Sequence, residues 1–283
     1  MSDQVTFKGS VLTLVGRKIK VGSSVPDFRV VSGELKEIRL SDFAGKIKVI
    51  NFFPSIDTPV CDVQVKEFNK RAADLSSDIA VIGISKDLPF AQKRFCDAHD
   101  ISKEVVLSDY KTSSFGINYG VLIKELNLLA RGVVVIDAHN ILRYRQIVPE
   151  ITRAVNFDDA LKAAEEVVRI PQVEAEDSLP DHCKPCEKGV AALPRDRIDK
   201  LLAARRGWDL VEGKRLTKEF TCKDFLEAKY FVDFIAVIAE EQGHHPTLTL
   251  GYAKVKVSLS THAAAGLTEN DFIMARAIDE LKG

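Results

Sequence analysis

The sequence predicts two domains, a mixed α/β domain followed by a small α+β domain, and three observations support this. The chain has 283 residues, which is too long for one average domain and natural for two. Over residues 1–170, strand-like apolar runs alternate with helical patterns and end in a hairpin, as in a mixed sheet covered by helices. Over residues 194–283, strands and helices follow one another without regular alternation.

The composition is that of an ordinary globular protein, with 46% hydrophobic and 29% charged residues. A net charge of −1 gives no bulk attraction to nucleic acid or anionic membranes, and no apolar run approaches the ~20 residues that span a bilayer. The N-terminus lacks the basic and apolar regions of a signal peptide. Five cysteines in so long a chain indicate reactive or structural thiols in a reducing compartment, so we expect a cytoplasmic protein.

The elements of the first domain are predicted from hydrophobic periodicity and turn residues. Two β-rich runs within residues 5–15 form a hairpin that turns at Lys8-Gly9-Ser10, and residues 26–46 are extended and loop-rich. The further elements are a strand at 47–53, a helix at 62–75, a strand at 79–85, a helix at 89–99, hairpin strands at 133–137 and 141–148, and a helix at 157–169. The inner side of the helix at 62–75 is predicted to consist of Val63, Val65, Phe68 and Ala72.

A single cysteine follows the first buried strand in a context that favours reactivity. The strand ends at Pro54, a polar loop follows, and Thr58 and Pro59 suit the N-cap and first position of a helix. Cys61 then falls in the first turn, where unpaired N–H groups and the helix dipole favour an anion and lower a thiol pKa below about 8.5. The alternative is a small buried core residue, but the strand–loop–capped-helix context favours the nucleophile.

The spacing P-x-x-x-T-x-x-C of Pro54, Thr58 and Cys61 resembles the active-site motif of peroxiredoxins. The strings at 53–61 and 87–96 are similar to the thiol peroxidase subfamily, the atypical two-cysteine peroxiredoxins, and the resemblance runs from about residue 5 to about residue 168. It implies a thioredoxin-like fold and the reduction of peroxides by Cys61, with Pro54 at the substrate.

The resemblance also implies roles for residues outside that motif. Arg131 matches the family arginine that, with the Thr58 hydroxyl, orients the peroxide, and Cys96 matches the resolving cysteine. It implies a Cys61–Cys96 disulfide, formed after partial unwinding of both helices and reduced by thioredoxin. From the residues alone, a surface or carboxylate-paired arginine is the preferred interpretation of Arg131, and a half-buried helical cysteine remains an alternative for Cys96.

Residues 171–193 are predicted to be a linker, because an acidic patch at 174–177 lies among three prolines. The elements after it are a helix at 194–205, a hairpin at 208–220 that turns around 212–214, a helix at 222–241, strands at 247–250 and 254–259, and a helix at 269–281. Thr221 is the predicted cap of the long helix, with Asp224 three residues on in a capping-box-like pattern. The apolar stripe of that helix is predicted to be Phe225, Phe231, Val232, Ile235 and Ile238.

Three of the six histidines are clustered in the second half of the chain, at His244, His245 and His262. Such density suggests a metal site, but no cysteine and no H-x-x-x-H spacing accompanies them, so an acid–base role is favoured over zinc. The pattern E-x-x-x-H-H-P-x5-Y-x9-H-x8-D is similar to that of pterin-4a-carbinolamine dehydratases and covers about residues 183–282. It matches here at Glu240, His244, His245, Pro246, Tyr252, His262 and Asp271.

This second resemblance implies loss of water from a 4a-hydroxytetrahydropterin to give a quinonoid dihydropterin. The reaction needs an acid for the departing hydroxyl and a base for the N–H proton, and histidine suits both. We expect His245 to be the principal acid–base, His244 and His262 to bind and orient, and Glu240 and Asp271 to fix tautomers or ring donors. The pterin, which Tyr252 also contacts, is a substrate, so neither a metal nor a tightly bound cofactor is expected.

Cys183 and Cys186 form a single C-x-x-C pair at the entrance of the second domain. Such a pair is a redox motif, half of a zinc site, or simply part of the dehydratase-like domain. A sharper hypothesis is that it delivers electrons to the Cys61–Cys96 disulfide. Cys222, placed at the start of the long helix, is expected to be structural.

We therefore expect a homo-oligomeric fusion of a thiol peroxidase and a pterin dehydratase. In one alternative, the C-terminal half is a dimerisation or binding module that only assembles the peroxidase. In another, the chain is a redox sensor that relays the oxidation of Cys61 to a partner protein.

Overall fold

The computed structural model describes residues 4–73, 75–169, 179–180, 182–185 and 190–282. The chain divides into two compact units, Met1–Ala175 and Glu176–Gly283. The predicted linker at 171–193 lies for the most part outside the described residues. Within the described ranges, no helix is both long enough and apolar enough to cross a membrane.

The first unit alternates strands and helices, as its apolar runs predict. Its elements are β1 (Gln4–Phe7), β2 (Ser10–Val15), β3 (Arg29–Val31), β4 (Glu37–Arg39), β5 (Ile47–Phe52), α1 (Pro59–Ala72), β6 (Ile79–Ser85), α2 (Pro89–Ala98), β7 (Glu104–Ser108), α3 (Ser114–Asn118), β8 (Leu122–Ile123), β9 (Leu128–Leu129), β10 (Gly132–Ile136), β11 (Leu142–Ile147) and α4 (Phe157–Arg169).

A seven-stranded mixed sheet in the order β11-β10-β5-β6-β7-β3-β4 forms the centre of the first unit. Strands β5, β6 and β7 are parallel, whereas β10 runs antiparallel to β5. Every residue of β5 is buried, which explains its nearly continuous apolar sequence. The carboxyl end of this central strand carries the loop that leads to Cys61.

The first-unit predictions agree with the structure except at a few positions. The N-terminal hairpin turns at Lys8 and Gly9, which both have positive φ values of 51° and 85° and suit a two-residue hairpin loop. The prediction that Val63 lies on the inner side of α1 is wrong, because Val63 is 56% exposed, whereas Val65 and Phe68 are fully buried. The helix begins at Pro59, and on that register residue 63 points to solvent.

The second unit is a four-stranded antiparallel sheet, in the order β12-β13-β15-β14, with helices packed against it. Its elements are α5 (Arg195–Ala203), β12 (Asp209–Val211), β13 (Arg215–Thr221), α6 (Phe225–Gln242), β14 (Thr247–Leu250), β15 (Lys254–Leu259) and α7 (Glu269–Lys282).

Helix α6 begins later than its sequence suggests. Thr221 pairs with Lys254 as the last residue of β13, so it does not cap the helix. Asp224 is the N-cap instead, and its side chain accepts a hydrogen bond from the backbone N–H of Glu227. Phe225, predicted in the apolar stripe, lies in the first turn and is 49% exposed, whereas Phe231, Ile235 and Ile238 are buried and Val232 is partly buried.

Candidate active sites

The loop after β5 places Cys61 at the start of α1. Phe53 and Pro54 are buried beneath it, and Thr58 has the extended backbone of an N-cap, with Pro59 next in the helix. Cys61 lies in the first helical turn and is fully buried. The short-range sequence signals therefore place this cysteine as predicted.

Two donors converge on the sulfur of Cys61. The Thr58 hydroxyl lies 2.8 Å from Sγ, and the Arg131 guanidinium donates to Sγ through Nη2 at 3.0 Å. Arg131 is itself 2% exposed, and it also donates to the Gln64 side-chain carbonyl at 2.7 Å and to the Ile151 backbone carbonyl at 2.7 Å. A cation and a hydroxyl aimed at one buried sulfur are suited to stabilise negative charge there.

The loop before α1 is anchored by the carboxylate of Asp87. This carboxylate accepts hydrogen bonds from the hydroxyl groups of Ser55 and Ser85 at 2.7 and 2.6 Å, and from the backbone N–H of Ile56 at 2.7 Å. Asp87 lies just before α2, the helix that carries Cys96. The two cysteine-bearing helices are therefore tied together at their N-terminal ends.

Cys96 is half-buried near the end of α2, and both Cys96 and Cys61 are free thiols in this structure. Burial raises the pKa of the Cys96 thiol to about 11, and the nearby carboxylates of Glu104 and Asp97 add to the rise. In this conformation Cys96 is a protonated thiol and a poor nucleophile.

Asp271 is the centre of the second cluster. It is fully buried at the start of α7, with Oδ1 2.8 Å from His244 Nε2. Its Oδ2 accepts hydrogen bonds from the Thr261 hydroxyl at 2.8 Å and from the Thr268 backbone N–H at 2.7 Å. Because His244 follows α6 and Thr261 precedes His262, one carboxylate joins three segments of the motif.

A second histidine–carboxylate pair lies open to solvent. His245 Nε2 is 3.1 Å from Glu240 Oε1, and the two side chains are 60% and 72% exposed. Gly243, with a φ of 61°, ends α6 in the left-handed conformation and lets the chain leave the helix at the histidines. His262 and Tyr252 are also exposed. The buried His244–Asp271 pair is therefore accompanied by an exposed histidine–carboxylate pair that remains accessible to a ligand.

Of the remaining cysteines, Cys183 contacts residues that adjoin the second cluster. Cys183 packs by its sulfur 3.6 Å from the Asn270 carbonyl oxygen, and its backbone N–H donates to Gln242. Cys186 lies outside the described residues, so the proposed roles of the pair stay open. Cys222, expected within the start of a helix, is buried in the core between β13 and α6. In the described ranges, no three His, Cys, Asp or Glu residues are grouped to hold a metal ion.

Three residues that hold the sites together were not predicted from the sequence. Gln64 holds Arg131, and it follows Cys61 by three positions, a spacing that places both on one helix face. Thr261 and Thr268 bind Asp271. The signals that could have found them are the position of Thr261 next to His262 and the capping-box spacing of Thr268 and Asp271 at the start of α7.

The chain matches two family models, Redoxin over residues 20–163 and Pterin 4 alpha carbinolamine dehydratase over residues 191–281. The thiol peroxidase of Bacillus subtilis (strain 168) is 47% identical over 166 residues, which are 59% of this chain and 99% of that relative. The thiol peroxidase of Staphylococcus aureus (strain MRSA252) is 47% identical over 160 residues, 56% of this chain and 96% of that relative.

Solved structures show the same relationship for the first unit. A peroxiredoxin-like protein from Aquifex aeolicus is 39% identical, with a TM-score of 0.56 over 59% of this chain and 98% of that chain. A thiol peroxidase from Chromobacterium violaceum, 21% identical, shares the fold with a TM-score of 0.54 over 60% of this chain and 99% of that chain. The solved structures confirm the thioredoxin-like fold of the first unit. Together with the two family models, they confirm both resemblances on which the sequence predictions rest.

Proposed function

Because the chain belongs to the thiol peroxidases of the Redoxin family and carries a pterin-4a-carbinolamine dehydratase domain, we propose that Cys61 is its peroxide-reducing thiol and Cys96 its resolving thiol. The observation that supports this assignment is the pair of donors on Cys61 Sγ, Thr58 at 2.8 Å and Arg131 at 3.0 Å. Both donors stabilise the thiolate at this sulfur, and they lie beside the position where the departing oxygen gains negative charge as the O–O bond breaks.

The proposed reaction begins when the Cys61 thiolate attacks one peroxide oxygen. The new S–O bond makes a sulfenic acid, the O–O bond breaks, and its electron pair leaves with the second oxygen as hydroxide or alkoxide, which takes up a proton. Cys96 then attacks the Cys61 sulfur, the S–O bond breaks, and water leaves as the disulfide forms. A dithiol reductant of the thioredoxin type reduces that disulfide and is itself oxidised.

The resolving step requires a change around Cys96. Its thiol is half-buried and its pKa is raised to about 11 by burial and by the neighbouring carboxylates. Partial unwinding of the end of α2 would expose the sulfur, return its pKa towards that of a free thiol, and let it meet Cys61 at the ~2.05 Å of a disulfide.

Peroxide consumption with thioredoxin and its reductase tests these assignments. We expect Cys61→Ser to abolish turnover and Cys96→Ser to reduce it severely, while Cys222→Ser, a buried cysteine of the second unit, serves as the matched control. The Cys183/Cys186 double serine decides the role of that pair: lost turnover makes it part of the electron path, and normal turnover excludes this. Turnover that survives in Cys61→Ser would contradict the assignment.

For the second site, we propose that His245 transfers the protons in pterin dehydration and that no tightly bound cofactor takes part. His245 is 60% exposed with Glu240 on its ring, which leaves it accessible to a flat substrate. His244, held by Asp271, fixes the site from beneath, and His262 and Tyr252 contribute binding groups from the exposed loops around it.

His245→Ala separates this enzyme from a mere assembly module. We expect dehydration of a 4a-hydroxytetrahydropterin to fall by about 10²–10⁴-fold, the usual contribution of a general acid–base. Molar mass measured by light scattering should stay that of wild type, which we expect to be a homo-oligomer. Normal dehydration by the variant would contradict the role of His245, and altered assembly would favour the module. Fast peroxide turnover with thioredoxin would argue against a redox sensor.

A further inference from the structure

A buried carboxyl group of the first unit is joined to the Cys61 site by a chain of side-chain hydrogen bonds. Arg131 donates to Gln64 Oε1 at 2.7 Å, Gln64 Nε2 donates to Asn51 Oδ1 at 3.2 Å, and Asn51 Nδ2 donates to Glu104 Oε1 at 2.6 Å. All four side chains are at most 4% exposed. Every link donates in the same direction, away from the guanidinium on Cys61 and towards Glu104.

The backbone makes room for this carboxyl. Residue 83 is a glycine, and a Cβ built there would lie 2.4 Å from Glu104 Oε1 and 3.3 Å from its Cδ. Any larger residue at 83 would therefore displace the carboxyl from Asn51. Among the described residues, no group makes a hydrogen bond to the buried Oε2 of Glu104. A carboxylate with one donor and no cation in contact would be costly at this depth.

We propose that Glu104 is a positioning residue of the peroxidase. As a neutral acid, it accepts the last hydrogen bond in the series from Arg131 through Gln64 and Asn51, and this series fixes Arg131 against the Cys61 sulfur. The inference rests on the proposed role of Cys61 and names a residue that touches neither peroxide nor sulfur. The carbonyl oxygen of Glu104, Oε1, accepts the hydrogen bond from Asn51, and the acid proton resides on Oε2. Asn51, whose amide nitrogen also donates to the Ile82 backbone carbonyl at 3.1 Å, is thereby held with its own oxygen towards Gln64, and Gln64 with its oxygen towards the arginine.

Ionisation of Glu104 would work against both steps of the cycle. Burial raises the pKa of Glu104 to about 8, so the acid is neutral at pH 7 and ionises on the alkaline side. The carboxylate would polarise the aligned amides, strengthen the hold of Gln64 on Arg131, and weaken the guanidinium as a donor to sulfur and peroxide. It also raises the pKa of the Cys96 thiol on α2, although less than burial does.

Other charged groups surround these elements and must be separated in any pH profile. Lys48 on β5, whose pKa is lowered by burial to about 8, bonds to Asp137 and Asn140 at the opposite end of the strand. The charged and titratable groups on the neighbouring helices and before β7 are Cys61, Asp62, Lys66, Glu67, Lys70 and Arg71 on α1, Lys93, Arg94, Cys96 and Asp97 on α2, and Lys103. A Glu104 variant leaves each of them in place.

The test compares Glu104→Gln with Glu104→Met, a neutral acceptor against an apolar side chain of similar length. The rate of Cys61 oxidation is measured by competition with horseradish peroxidase for hydrogen peroxide, in a Cys96→Ser background, between pH 6 and about 9.5. We expect Glu104→Met to lose roughly tenfold at pH 7, since one amide proton of Asn51 loses its acceptor. Glu104→Gln should recover most of that loss.

The pH profile provides the readout that a packing role would not change. In the Cys96→Ser parent, the rate should fall roughly threefold to tenfold as pH rises through about 8, and in Glu104→Gln this fall should vanish. A fall that persists in Glu104→Gln belongs to Lys48 or another group and would overturn the inference, as would equal rates of Glu104→Met and the parent. If Glu104→Met does not fold, the profile of Glu104→Gln decides alone. Activity that survives in Cys61→Ser would instead remove the proposed function itself.

Discussion

The two sites of this chain differ most in their access to water. In the first unit, the sulfur of Cys61 and the guanidinium of Arg131 are at most 2% exposed, and the guanidinium is fixed by hydrogen bonds to Cys61, Gln64 and Ile151. In the second unit, His245 and Tyr252 are 60% and 77% exposed. A small peroxide needs a preformed, dry set of donors. We expect a large flat pterin to cover its own site, so that the protein need only hold the proposed proton-transfer groups in place.

The largest expected effect is at the buried cation. Arg131→Met should lower the rate of Cys61 oxidation by about 10²–10³-fold, the usual loss on removal of a transition-state donor. Competition for hydrogen peroxide measures this rate, and Arg39→Met, which breaks a surface pair with Glu37, is the matched control. Pterin dehydration by Arg131→Met should not change. A loss below tenfold would show that the buried site does not depend on its cation.

The second effect concerns Cys96, the thiol that is proposed to leave its buried position during resolution. With a pKa of about 11, Cys96 is almost entirely protonated at pH 8. The raised pKa lowers the thiolate fraction, but it also makes each thiolate more nucleophilic, which offsets part of the loss. Together these effects predict alkylation about twentyfold slower than that of a free thiol. Iodoacetamide labelling followed by peptide mass spectrometry, with N-acetylcysteine as reference, measures this. Labelling of the native reduced protein at the free-thiol rate would mean that α2 is already open before oxidation.

A third comparison lies within the second site, where one histidine–carboxylate pair is buried and the other exposed. Asp271→Asn should destabilise the second unit by about 1–3 kcal/mol, since its amide cannot serve all the donors around it. Dehydration should fall by roughly tenfold as His244 loses its anchor. Glu240→Gln should change stability by less than about 1 kcal/mol, because the pair is exposed.

Chemical denaturation followed by the fluorescence of the single tryptophan, Trp208, reports the second unit alone. Equal destabilisation by Asp271→Asn and Glu240→Gln would contradict the division of the site into a buried anchor and an open surface pair.

The sequence predicts those parts of the molecule that short-range signals determine. The apolar run of β5, its terminal proline and the Thr58-Pro59 pair locate the helix start and Cys61 without any knowledge of the fold. The same is true of the hairpins and of the strands β6, β14 and β15. Helix α3 was not predicted, because its five residues make fewer than two helical turns and show no 3.6-residue period, and strand β7 was not predicted either.

Features that depend on pairing between distant segments could not be predicted in this way. Thr221 and Asp224 both suit an N-cap, and the ladder with Lys254 decides between them by extending β13 to Thr221. The link from Asn51 to Glu104 joins strands that are separated by β6. A polar residue inside an apolar run is the signal that the sequence offers, and it does not reveal its partner.

The smallest expected effect extends the comparison of the two units to their stability. Among the described residues, the carboxyl groups whose pKa is raised are Glu104, to about 8, and Asp109, to about 7, and burial is the main cause for both. Both lie in the first unit. Their folded forms hold protons that the unfolded chain has already released above pH ~4–4.5. The contribution of these two groups to the free energy of unfolding is therefore complete below that pH and is lost as the pH rises to about 8.

The slope cannot exceed about 1.4 kcal/mol per pH unit for each group. Hydrogen-exchange mass spectrometry of β5 and β10 should therefore show protection that falls from pH 5 to 8 after correction for the intrinsic exchange rate. The Trp208 signal should give a flatter profile for the second unit. Because Glu104→Gln removes one of the two groups, it should remove its share of the slope in the first unit. Two outcomes would contradict this: parallel pH profiles for the two units, or a slope of stability against pH that is unaltered in Glu104→Gln. Either would mean that the Glu104 carboxyl is ionised in the folded protein and that the hydrogen-bond series from Arg131 ends in a charge.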